Sequence, residues 1–158
     1  MIDAEKIKEI IEEFFVKSGM ENIEVRTSLS AGDGGNPKYS AFDINVMTSD
    51  ASLYIGEKGR SIEAFERVLK TVLKKKFGEF IVIHLDINNY RSLRADDLKE
   101  LARKAAHRAR LYKNDVALEP MAASDRRVVH SELSAHPDIK TESMGEEPRR
   151  RIVIKYIP

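Results

Sequence analysis

No cysteine occurs among the 158 residues. A disulfide scaffold, a cysteine zinc site and a cysteine nucleophile are therefore excluded. No apolar run approaches the ~18–20 residues that a membrane-spanning helix needs. Met1-Ile2-Asp3-Ala4-Glu5-Lys6-Ile7-Lys8 holds no apolar signal core, so the expected compartment is the cytoplasm. Neither sign of charge is in excess, with 27 Lys+Arg against 26 Asp+Glu. No His-Glu-x-x-His pattern occurs and no carboxylate cluster has metal spacing, so neither a metal nor another cofactor is expected. Gly32–Gly35 is glycine-rich but lacks the Gly-Lys-Ser/Thr of a P-loop, and reads as a hairpin tip.

What remains is a folded, surface-rich chain, 42% hydrophobic and 34% charged. At 18.0 kDa it suits one ordinary domain or two small ones. Its charge is unevenly placed. Residues 1–48 carry a net −4, residues 49–118 a net +5, and residues 119–158 none. A basic centre in a near-neutral chain fits a localised polyanion site better than a general coat.

Apolar spacing predicts a helix over residues 3–18, carried by Ile7, Ile10, Ile11, Phe14 and Phe15. Alternation predicts strands over 22–30 and 39–47, forming a hairpin with a mobile tip at 32–37. Gly56-Glu57-Lys58-Gly59 then precedes a long helix with Ile62, Phe65, Leu69, Val72 and Leu73 on one stripe. Gly78 ends it, with Lys74-Lys75-Lys76 in the last turn, where cations suit the helix dipole. Residues 80–87 read as a strand apolar enough to be covered on both faces, with His84 as a satisfied core residue. A helix over 93–113 follows, with Leu98, Leu101, Ala105 and Tyr112 inward and Arg103, His107 and Arg110 as a basic stripe. Then come a short strand at 116–118, a helix over about 123–135, and a hairpin from 139–143 and 150–157. The expected boundary lies near Asn88-Asn89-Tyr90, giving domains of residues 1–89 and 90–158. The expected class is α+β.

Two motifs carry chemistry. Two glycines in Gly56-Glu57-Lys58-Gly59 would let the backbone approach a sugar-phosphate chain closely. The amides opening the next helix would face an anion with the positive end of the dipole, and Lys58 and Arg60 add charge. A plain helix–helix turn is the competing reading. Ile55 and Ile62 flank the loop, either as an apolar groove for bases or simply as core. The second motif is Arg126-Arg127-Val128-Val129-His130. Spacing of four sets Arg126 and His130 one turn apart on one helix face, where both could donate to a phosphate or a base edge. Arg149 and Arg151 share one strand face and would add to that surface or protect a sheet edge.

The β-β-α-GxxG-α-β order resembles a KH domain of type II topology over residues 3–87, and such domains clamp about four nucleotides with that loop. Val116 to Met121, Arg126 to His130, and Gly145-Glu146-Glu147-Pro148 followed by Arg149-Arg150-Arg151 and Ile152-Val153-Ile154 resemble an R-x-x-x-H (R-three-H) domain. Together, in this order, they resemble the bacterial Jag family, also called SpoIIIJ-associated or KhpB/EloR. The resemblance covers nearly the whole chain. It implies a KH domain (α-β-β-α-GxxG-α-β) joined by a helix to a small β-α-β-β domain.

It also implies a cytosolic binder of single-stranded RNA, or of single-stranded DNA. Such a protein would act in post-transcriptional control and in cell elongation, division and shape. A homodimer, or a heterodimer with a small single-KH protein, would be its protein partnership. The residues implied are Gly56, Lys58 and Gly59 in the loop and Arg126 and His130 in the second motif. Glu57 departs from the loop pattern. Ala122-Ala123-Ser124 replaces the family's Asn-Pro-aromatic start and removes a stacking ring. Many members carry an extra N-terminal domain and linker, whereas this sequence begins almost directly at the first helix, as expected of either a short form or a piece of a longer chain. The rival readings are an adapter in a membrane-insertase or division complex with weak RNA binding, and a nuclease using His130. No second catalytic group is placed for the latter.

Overall fold

The computed structural model describes residues 3–30 and 41–158. They fall into two compact units, Met1–Arg91 and Ser92–Pro158. Both mix helices with a small sheet, so the fold is α+β.

In the first unit, helix α1 (Ala4–Lys17) opens at Asp3, whose carboxylate accepts from the Glu5 amide at 3.1 Å. Ile7, Ile11 and Phe15 recur at fourfold spacing and are buried. Strands β1 (Glu24–Leu29) and β2 (Ala41–Met47) pair antiparallel, and β3 (Val82–Ile87) lies parallel to β2 in the order β1-β2-β3. The predicted hairpin tip lies outside the described residues. Between β2 and β3 come the short helix α2 (Ala51–Ile55), a 3₁₀ turn (Glu57–Gly59) and helix α3 (Arg60–Phe77). Phe14, Phe15, Tyr54 and Phe65 meet edge-on or tilted, with ring centroids 5.3–6.3 Å apart, and fill the core between α1, α2 and α3.

Strand β3 corrects the two-sided expectation. Ile83, Leu85 and Ile87 are buried, whereas Val82, His84 and Asp86 are only half-buried. The strand alternates, so it covers helices on one side and leaves the other open. His84 is therefore not a core residue. It stands on the open face across from Asp43, beside the Asn45–Asp86 pair. Ser28, Arg26 and Arg91 join these residues, with Ile44 and Leu85, in lining an open groove. The outer edge of β3 is closed by side chains. Glu66 Oε2 accepts from the Leu85 amide at 3.0 Å, and Arg91 Nε donates to the Leu85 carbonyl at 3.0 Å.

In the second unit, helix α4 (Tyr90–Tyr112) is followed by β4 (Val116–Ala117), α5 (Ala123–Leu133), β5 (Ile139–Met144) and β6 (Arg151–Tyr156). The division between the units falls in the first turn of α4. The sheet is antiparallel in the order β4-β6-β5. The inward stripe of α4 is Leu98, Ala102, Ala105, Ala106 and Ala109. Leu101 and Tyr112, expected inside, are 43% and 66% exposed. Small alanines carry the contact, packing with Val129, Leu133, Ile152 and Ile154 in one core.

Candidate functional site

The loop before α3 is fixed by its glycines. Gly56 has φ +69° and ψ −179°, and a Cβ there would fall 2.2 Å from Ser61 Oγ and 3.0 Å from the Ser61 amide nitrogen. Gly59 is buried at φ +81°, and its Cβ would fall 2.8 Å from a ring carbon of Tyr90. Between them Lys58 adopts the left-handed conformation (φ 52°, ψ 30°), which costs a non-glycine residue about 1–2 kcal/mol. The turn is thus a tight, overdetermined piece of backbone whose side chains Glu57, Lys58 and Arg60 are exposed. It delivers the chain directly into the 18-residue α3, whose first amides point back toward it. Ile55 is half-buried beside the loop. Ile62 is 2% exposed and lies in the core of the first unit.

The second motif is arranged otherwise than its spacing suggests. Arg126 is only 9% exposed. One guanidinium nitrogen donates to the Met121 carbonyl and reaches the Glu147 carboxylate, both at 2.8 Å. That ties the start of α5 to the β5–β6 turn. The next residue, Arg127, is exposed, with no partner among the described residues. His130 is half-buried, its Nδ1 2.6 Å from Thr141 Oγ1 on β5.

Sheet register sorts the arginines of the turn. Thr141 stands opposite Ile154 and Ser143 opposite Ile152, so both share the face that packs on α5. Arg150 Nε donates to Ser143 Oγ at 3.0 Å and joins His130 and Thr141 on that side. Arg151 stands opposite Met144 at the other parity, with Lys140, Glu142 and Lys155. It is exposed and turned away from His130. Arg149 precedes the strand and is exposed. Arg150, missed in the sequence, was marked there by its parity with Ile152 and Ile154.

Other charges of this unit are structural pairs. Arg94 grips the buried Asp125 with two nitrogens, at 2.9 and 3.2 Å, and Arg103 meets Glu132 at 2.7 Å. Arg110 holds Asp138 bidentately, and this hydrogen bond lowers the Asp138 carboxyl to about 2. Hydrogen bonds from Lys155 and Lys140 likewise lower Glu142 to about 2. The expected basic stripe of Arg103, His107 and Arg110 is thus partly spent within the fold.

Among the described residues no group of three His, Cys, Asp or Glu side chains could hold a metal ion, and no helix is long and apolar enough to cross a membrane.

Residues 96–156 match the R-three-H domain family. A protein of Bacillus subtilis (strain 168) named RNA-binding protein KhpB is 37% identical over 114 residues, covering 71% of this chain and 55% of that protein. The protein of the same name from Clostridium symbiosum is 31% identical over 119 residues, covering 75% of this chain and 54% of its own length. That from Lactiplantibacillus plantarum is 31% identical over 111 residues, covering 70% of this chain and 34% of its own length. The chain spans about half the length of the first two of these relatives. Two motifs in order, the R-three-H match and homology reaching over most of the chain make it a member of the KhpB (Jag, SpoIIIJ-associated) family.

Proposed function

We propose that the protein binds single-stranded RNA by equilibrium contact, without turnover. The first unit acts as a KH domain of type II, with residues 1–89 as the KH domain and 90–158 as the linking helix and R-three-H domain. The observation that carries this is the loop from Gly56 to Gly59. Its backbone is held at positive φ, and a Cβ at either glycine would force a neighbour, Ser61 or Tyr90, to shift. It opens a long helix and presents Lys58 and Arg60 to solvent. Loop amides and these cations would hold the sugar-phosphate chain, and Ile55 would border the bases. The name of the relatives, RNA-binding protein KhpB, supports the reading.

In the second unit, Arg127, His130 and Arg150 form the contact set, and Arg126 positions α5 and the turn that bears Arg149. Arg151 serves the opposite face. Tethering two weak sites raises avidity through effective concentration. The role is cytoplasmic post-transcriptional control linked to cell elongation, division and shape. A second copy or a small single-KH protein is the proposed protein partner.

Fluorescence anisotropy with short labelled RNAs tests the reading. Lys58→Asp/Arg60→Asp leaves both glycines in place and should weaken binding at least about tenfold, since each phosphate contact carries a salt-dependent share of affinity. Arg127→Ala/His130→Ala should weaken longer RNAs only. No binding by the native chain at moderate salt would transfer the role to a protein adapter.

A further inference from the structure

Helix α3 carries a second feature that the loop does not use. Successive residues turn about 100° on a helix. Arg60, Ala64, Arg67, Thr71, Lys74 and Lys75 therefore lie along one outward ridge, opposite buried Ile62, Leu69 and Leu73. All six are exposed. The four cations have no ionic partner among the described residues, whereas Lys70 is spent on Glu66 at 2.7 Å and Lys76 faces Glu13 at 3.8 Å. The residues between them, Ala64 and Thr71, are small and uncharged. Thr71 turns its hydroxyl inward onto the Arg67 carbonyl at 3.1 Å. Glu63, at the edge of the ridge, is its one carboxylate among the described residues.

A helix face that is merely solvated mixes signs, as α4 does with its Lys99–Asp96 and Lys104–Glu100 pairs. The α3 ridge does not. Apart from Glu63 at its edge it keeps one sign from Arg60 to Lys74, about 21 Å of helix, and starts where the loop ends. Unpaired like charges repel and cost stability unless a polyanion neutralises them.

We infer that this ridge is an extended track for the phosphate backbone of a single strand, continuing from the loop toward the C-terminal end of α3. The occupant is the same single-stranded RNA, so the inference rests on the loop's proposed function. It adds a length requirement. An RNA of about four nucleotides fills the loop, and a longer one gains the contacts of Arg67, Lys74 and Lys75. The sequence read these lysines only as partners of the helix dipole, because periodicity gives a face and not its vacancy.

The test compares labelled oligouridylates of about four and about twelve nucleotides, lengths that bracket common single-strand site sizes. The ridge variant is Arg67→Gln/Lys74→Gln/Lys75→Gln. Glutamine keeps helix propensity, and an unchanged thermal melt verifies the fold. The native chain should bind the longer RNA at least about tenfold more tightly. The variant should lose most of that advantage, keeping only the share that Arg127 and His130 supply, while holding the shorter RNA within about twofold. Its salt slope for the longer RNA should fall by about 2, from three contacts at about 0.7 each. Native affinity and slope retained by the variant would overturn the ridge and leave the loop reading standing. An equal loss on both lengths would also overturn it, since the contacts would then not be additional. Binding of neither RNA by the native chain would remove both readings together.

Discussion

Gly56, Gly59 and Gly78 share a positive φ but differ in what surrounds them. A Cβ at Gly56 meets the Cβ and backbone nitrogen of Ser61, which cannot rotate away. At Gly59 it meets a Tyr90 ring carbon, which can shift at some cost. At Gly78 it meets nothing within 4 Å. Left-handed strain alone is worth about 1–2 kcal/mol. Gly78→Ala should therefore cost about 1 kcal/mol, Gly59→Ala about 2 and Gly56→Ala more than either, measured by urea unfolding. Equal costs at all three would mean that φ alone decides and that the fit around the loop adds nothing. The sequence showed the glycines because a turn needs them. It did not show Tyr90 or Ser61 behind them, because those contacts join residues whose side chains have no periodic signature.

Elements were legible where one period and one partner decide them. Helix α1 follows its apolar spacing, and the antiparallel pair β1–β2 follows its alternation. Strand β3 and the inward stripe of α4 were each misread in part: in β3 an apolar composition was taken for coverage, and in α4 Leu98 and Ala105 face inward as read but Leu101 and Tyr112 do not. In β3 only alternate residues meet helices, and in α4 alanine rather than leucine makes the close approach. The R-x-x-x-H spacing correctly sets Arg126 and His130 on one helix, but spacing cannot tell a residue that faces solvent from one that faces a turn. Arg126 faces Met121 and Glu147. Removing its guanidinium leaves a buried carbonyl unpaired, at about 1–3 kcal/mol. Arg126→Ala should thus lower stability by about 2–3 kcal/mol in urea unfolding, and Glu147→Gln, at an exposed carboxylate, by less than about 1. Loss of RNA affinity in Arg126→Ala with full stability would instead make Arg126 a direct contact.

Across the whole molecule, net charge near zero hides two different uses of it. The first unit leaves cations unpaired along α3. The second commits many of its charges to pairs, joining α4 to α5 through Arg94–Asp125 and Arg103–Glu132, helices to strand-flanking residues through Arg110–Asp138 and Arg126–Glu147, and β5 to β6 through Glu142–Lys155. That division has a consequence in acid. Asp138 and Glu142 both have carboxyls held down to about 2, by Arg110 in one case and by Lys155 and Lys140 in the other, against ordinary values of 3.8 and 4.5. The unfolded chain therefore binds protons at a pH where the fold still excludes them. Stability from these pairs is fully present above about pH 5 and is lost as pH falls through 4 toward 2. The loss should be local. Amide exchange of β5 and β6 should quicken over that window. In Asp138→Asn/Glu142→Gln the same amides should start less protected and change less with pH. Both pairs lie near solvent, so added salt should weaken their share. An unchanged acid profile in the double variant would overturn the assignment of this acid sensitivity to Asp138 and Glu142.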